Sequence, residues 1–190
     1  MNNFKITQLL NLSRSMPHTS RFPLRQSLIG TLLILLVAGT ACVSVNIGPG
    51  KGKKSSGVKF QEPSGSFREI DNDRADMAWL NASTGSSIAF QSNCGDSADA
   101  SLESMNEELF SGFDGSRKIK SDRTPFDGRE ALQAEVEGTV DGITTHIHTT
   151  VYKKNKCSYI LTLVTLPKPS VNLTTDLETF ERFKASFRAP

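Results

Sequence analysis

The strongest constraint on the fold is a run of alternating residues folded about one dipeptide. Leu132, Ala134, Val136, Gly138 and Val140 alternate with Gln133, Glu135, Glu137 and Thr139. Asp141-Gly142 follows, the residue pair best suited to a two-residue hairpin turn with both central residues at positive φ. The return segment then places Ile143, Thr145, Ile147, Thr149 and Val151 at every second position. A period of two over both arms demands strands with one apolar face, and the tight turn fixes their register. Val140 must pair with Ile143, Glu137 with His146 and Glu135 with His148. A chain carrying such a hairpin belongs to a sheet that buries one face against something else.

The neighbouring segments say what that is. After Lys153–Lys156 comes Cys157–Leu166, apolar on both faces, as expected of a central strand covered on both sides. Upstream, Ala75–Ala82 and Ser87–Asn93 flank a turn at Ser83-Thr84-Gly85-Ser86 and read as a second hairpin, with Trp79, Ile88 and Phe90 as core candidates. Arg117–Asp122 reads as a short polar strand and Thr124–Gly128 as a turn. Two segments have helical spacing. Ala98–Phe113 carries Leu102, Met105, Leu109 and Phe113, with Asp96 or Ser97 as its cap. Leu173–Phe187 carries Leu173, Leu177, Phe180 and Phe187, and Thr175-x-x-Glu178 has the form of a capping box. The expected fold is therefore α+β, an antiparallel sheet of about five or six strands packed by two helices. This element order, the early Trp79-x-Asn81 before a glycine turn, and the aromatic final helix ending in Ser186-Phe187 resemble the PsbP-like superfamily over residues 67–190. The resemblance implies a binding or assembly module and no shared active site.

The first 41 residues have a different character. Leu28–Ala38 is an apolar stretch of about 11 residues, too short for a membrane span of about 20 but right for the hydrophobic core of a secretory signal. Lys5, Arg14, Arg21 and Arg25 precede it with no acidic residue. Met16 is an alternative start that leaves a shorter basic segment. The stretch ends in Ala38-Gly39-Thr40-Ala41-Cys42, which resembles a bacterial lipobox, with Cys42 acylated as the first residue of the mature protein. Gly39 stands where an aliphatic residue is usual, and simple cleavage after Ala41 is the alternative. On the first reading the chain faces the periplasm, held in the bilayer through Cys42. Val43, not Asp, follows that Cys, which points to the outer membrane. On the second it is a soluble periplasmic or secreted protein.

Cysteine parity supports the lipid anchor. The chain has three cysteines. Acylating Cys42 leaves Cys94 and Cys157 as an even pair, expected to bond in an oxidising compartment. Residues 42–66 are rich in Gly, Ser and Lys with two prolines and read as a linker. The domains expected are thus 1–41 signal peptide, 42–66 lipidated Cys and linker, and 67–190 one globular domain.

Charge excludes one class of partner. Of 22 Lys and Arg, four lie in the leader, so 18 remain against 20 acidic residues, a net charge of −2. The basic character belongs to the leader, and no nucleic-acid partner is expected. The GPGKGKKSS string fails as a phosphate loop, because Ile47 stands where glycine is required and Lys54 where Ser or Thr is. There is no Gly-x-Ser-x-Gly elbow, and no motif implies a cofactor. The one chemical constellation comes from the hairpin register. Glu135, Glu137, His146 and His148 share a face and form a candidate metal site of two imidazoles and two carboxylates. Ordinary cross-strand charge pairing is the competing reading. The expectation is a binding protein with an unidentified envelope partner and not an enzyme.

Overall fold

The structure is a computed structural model, and it describes residues 53–95, 100–111, 113–167 and 173–190. The leader, Cys42 and the first ten residues after it lie outside the described residues. Seven strands and two helices follow in the order β1 (Phe67–Ile70), β2 (Met77–Asn81), β3 (Ser87–Cys94), α1 (Leu102–Phe110), β4 (Asp114–Phe126), β5 (Arg129–Val140), β6 (Ile143–Lys154), β7 (Cys157–Thr165) and α2 (Thr174–Ser186). The strands form one antiparallel sheet ordered β1-β2-β3-β7-β6-β5-β4. The doubly apolar β7 sits at its centre, as its pattern requires, and eight of its nine residues are buried.

The β5–β6 register is the one dictated by the tight turn: Val140 pairs with Ile143, Glu137 with His146 and Glu135 with His148. Asp141 and Gly142 both have positive φ, 50° and 78°. The same device joins β4 to β5, where Phe126 pairs with Arg129 across Asp127-Gly128 at φ 48° and 73°. Alternation then sorts the two faces. Val136, Ile147, Val151, Val164, Ala78 and Ala89 point to one side and pack on Met105, Leu109 and Phe110 of α1. Trp79, Ile88, Phe90, Tyr152, Tyr159, Leu161 and Leu163 point to the other, under Phe180, Phe183 and Phe187 of α2. Burying an aromatic side chain of this size contributes roughly 1.5–3 kcal/mol, so the α2 layer is the larger reservoir of stability.

Several sequence expectations are corrected. The strand count is seven, because β1 adds an edge strand in which only Phe67 is buried; three exposed polar-edged residues leave no alternation to detect. The polar strand expected over Arg117–Asp122 runs thirteen residues, through Phe126, and takes in part of the expected turn. Backbone pairing with β5, not burial, sustains it, since ten successive residues are exposed. Helix α1 starts later than expected: Ser101 is the N-cap, its hydroxyl accepting from the Ser104 amide at 3.0 Å. The expected caps Asp96 and Ser97 lie outside the described residues. No side chain caps α2, whose N-cap is Leu173, so the Thr175/Glu178 capping box does not form. The buried row of α2 is Asp176, Phe180 and Phe183, continued by Phe187, while Leu177 is 37% exposed. Spacings of four, three and four residues place that row on one stripe, and Leu177 falls about 100° away.

The largest correction concerns the linker. Residues 53–66 are part of the fold. The Cys94 amide donates to the Lys53 carbonyl at 2.9 Å, the Ser55 amide donates to Ser92 Oγ at 2.7 Å, and Ser55 and Tyr159 hydroxyls bond at 2.8 Å. Phe60 inserts among Trp79, Phe90, Phe183 and Phe187 with ring centroids 5.2–6.0 Å away. Gly/Ser-rich composition concealed a strap whose apolar content is two residues, Val58 and Phe60, both packed against the core.

Candidate functional site

The candidate site is the part of the sheet that α2 leaves uncovered. The helix lies over β2, β3 and β7 and reaches only as far as Gln133 of β5, which Lys184 Nζ contacts at 3.4 Å. Beyond that point the α2-side residues of β5 and β6 are polar and half-buried: Glu135, Glu137, Thr139, His146 and His148, with Thr144 exposed at the tip. Arg117 of β4 stands beside them, opposite Glu137.

The register places all four candidate metal ligands on this face, but the structure does not gather them. Among the described residues no three His, Cys, Asp or Glu side chains come together closely enough to hold a metal ion. Instead Glu137 is saturated from two sides. Arg117 Nη2 donates to its Oε1 at 3.1 Å, and His146 Nε2 donates to its Oε2 at 2.8 Å. The Arg117 hydrogen bond, more than any other contact, holds the Glu137 carboxyl below the usual carboxylate range. His148 is pushed below the ordinary imidazole value by burial, which outweighs the attraction of Glu135; near neutral pH it is an uncharged imidazole. Cross-strand charge pairing, the alternative reading of the constellation, is what the Arg117–Glu137–His146 row does. The face offers donors, acceptors and charge to a surface laid against it.

The expected Cys94–Cys157 disulfide is present, linking directly paired residues of β3 and β7 whose Cα atoms are 4.0 Å apart. Two polar features escaped the sequence. Asp176 is buried to 2% exposure, and its Oδ1 accepts from Asn81 Nδ2 at 2.8 Å, pinning the first turn of α2 to β2. In the sequence it reads as a first-turn acid favoured by the helix dipole, with nothing to mark it as internal. Asp127 accepts from Lys154 Nζ, the Tyr152 hydroxyl and the Ala189 amide at 2.9–3.2 Å. That contact, after burial, drives the Tyr152 hydroxyl pKa far upward. An open groove of about 380 Å³ beside it is bordered by Phe126, Gly128, Lys184 and Arg188, at the end of the sheet away from the hairpin tip. No helix among the described residues is long and apolar enough to cross a membrane.

No protein-family model matches the sequence, and no curated protein matches it. Solved structures do. The cyanobacterial PsbP (CyanoP) of Synechocystis superposes with a TM-score of 0.52 at 12% identity, covering 70% of this chain and 87% of CyanoP. The fold is PsbP-like. LpqN, involved in cell envelope biogenesis of Mycobacterium tuberculosis, is matched with a TM-score of 0.49 at 12% identity, over 73% of this chain and 86% of LpqN. A protein of Bacteroides thetaiotaomicron gives the same score and identity, and the chain spans 48% of that protein's length. At such identities the likeness is one of fold, and the PsbP-like scaffold alone assigns no activity.

Proposed function

We propose that this protein is an envelope lipoprotein, held in the membrane by acylated Cys42 and facing the periplasm, whose PsbP-like domain binds a protein partner. The observation that carries the binding role is the uncovered polar face of the β5–β6 hairpin. α1 and α2 cover the apolar parts of both sheet faces, and this stretch is left half-buried with its charges already organised into rows. Preorganised, partly desolvated charges give an interface specificity and register at little ordering cost. The binding role is supported by Glu137, which is held on both oxygens by neighbours on the face and so keeps the charge row in place. The lipid anchor is supported by the leader pattern, by the segregation of basic charge ahead of Cys42, and by the pairing of the two remaining cysteines with each other. Val43 after the anchor favours the outer membrane.

Photo-crosslinking in intact cells tests the binding face. A crosslinking residue in place of Thr144, exposed on the uncovered face, should yield a discrete adduct with one envelope protein. The same residue in place of Glu107, exposed on α1, should not. No adduct from position 144, or the same adducts from both, would overturn the assignment.

A further inference from the structure

The chain leaves the described fold at a defined place, and unpaired positive charge gathers there. Lys53 pairs antiparallel with Cys94, the last residue of β3. The described chain thus begins beside the terminus of β3. The way back to Cys42 therefore starts at the end of the sheet formed by Cys94, Cys157 and the β6–β7 turn, opposite the Asp141-Gly142 tip. Ten residues, or eleven Cα–Cα steps, separate Cys42 from Lys53. Fully extended they reach at most about 36–40 Å, about the diameter of a domain of this size. A tether of that reach keeps the domain within about one diameter of the bilayer and joins it at the Lys53 end.

Ten cations among the described residues are in no ion pair, and six of them stand at this end; Arg68, Arg74, Lys118 and Arg182 are the others. Lys54, Lys120, Lys154, Lys184, Arg117 and Arg123 are all in ion pairs. Lys53, Lys59, Arg129, Lys153, Lys156 and Arg188 are in none among the described residues, and register places every one at or beside this end. Lys153 is partly buried and the other five are exposed. Of the described acidic residues there, Asp76, Asp127 and Glu130 are already held by Lys54, Lys154 and Arg123, leaving Asp71 and Asp73 at the β1–β2 margin; Asp96 lies outside the described residues. The opposite end carries exposed Asp114 and Asp141. One of the three hairpin turns joining β4 through β7 differs from the others. The β4–β5 and β5–β6 turns end in Gly128 and Gly142, but the β6–β7 turn ends in Lys156, at φ 62°. A left-handed backbone disfavours a residue with a side chain, so a lysine is kept there against a conformational cost.

We propose that this end of the sheet, through Lys53, Lys59, Arg129, Lys153, Lys156 and Arg188, lies against the anionic phospholipid headgroups of the membrane that holds Cys42. The orientation rests on the lipoprotein reading; the affinity for anionic lipid does not, and this separates the two in an experiment. It directs the polar hairpin face and the acidic tip away from the bilayer, toward a partner. Each lysine close to an anionic surface adds roughly fivefold to binding.

The test is flotation of residues 42–190 carrying Cys42→Ser, which keeps every described residue and removes the acylation site. The probes are vesicles of phosphatidylethanolamine with about one-third phosphatidylglycerol, and vesicles of phosphatidylcholine. Binding should be at least tenfold stronger to the anionic vesicles and lost at about 0.5 M salt, where screening is nearly complete beyond a few ångströms. Lys53→Gln/Lys153→Gln/Lys156→Gln should weaken it tenfold or more. Arg68→Gln/Lys118→Gln/Arg182→Gln makes the same change in net charge elsewhere and should leave it within about twofold. Equal loss in both triple variants, or no preference for anionic vesicles, would overturn the proposal while leaving the acylation of Cys42 to be judged by its own test.

Discussion

Replacing Cys94 and Cys157 together by alanine is expected to cost about 4 kcal/mol of folding stability. The bond closes a loop across 63 positions, and removing the cross-link returns to the unfolded chain the entropy that such a loop excludes, about 4 kcal/mol at 25 °C. The closed loop contains α1 and β4–β6, so the cross-link between neighbouring β3 and β7 restricts four of the nine elements. Cys94 also donates its amide to Lys53, which places the strap at the same corner. For a domain of this size the loss corresponds to a fall in Tm of roughly 15 °C. Urea or thermal unfolding of the double variant beside the unaltered protein measures it. A loss under about 1 kcal/mol would mean that the cross-link hardly restricts the unfolded chain.

The second large effect comes from a residue that composition places in a linker. Phe60→Ala should destabilise the domain by about 2–4 kcal/mol, below the full cost of a wholly buried aromatic because Phe60 is partly exposed. Its ring packs edge-on against Trp79, Phe90 and Phe183 and stacked on Phe187, so truncation opens a hole shared by β2, β3 and α2. Truncation of a ring in a true linker would change stability by less than about 0.5 kcal/mol. Chemical denaturation of Phe60→Ala separates the two outcomes, and a value in the lower range would return the strap to linker status.

The cysteine pair was legible in the sequence and Phe60 was not. The β5–β6 hairpin was read to the residue because Asp141-Gly142 fixes the turn and alternation fixes the face. The same two facts placed Glu135, Glu137, His146 and His148 on one surface. Alternation carries no information on how far side chains extend or what they meet. Arg117 arrives from a strand whose residues are nearly all exposed, and it converts a candidate metal cluster into a row of charge pairs. β1, β4 and the strap were missed or cut short for one reason. Each is held mainly by backbone pairing or by one or two apolar contacts, and a hydrophobic pattern cannot show that. In α2 the apolar count misled, because a buried Asp176 bonded to Asn81 replaces Leu177 in the inward row. A partner 95 residues away leaves no local trace.

The account depends most on the anchor. In cells fractionated by ultracentrifugation, the unaltered protein should sediment with membranes and resist extraction by high salt. Cys42→Ser should move to the soluble periplasmic fraction. An N-terminal peptide from the membrane-bound protein should begin at Cys42 and carry fatty acyl chains. Equal membrane retention of Cys42→Ser, or an unmodified mature N-terminus, would contradict the account.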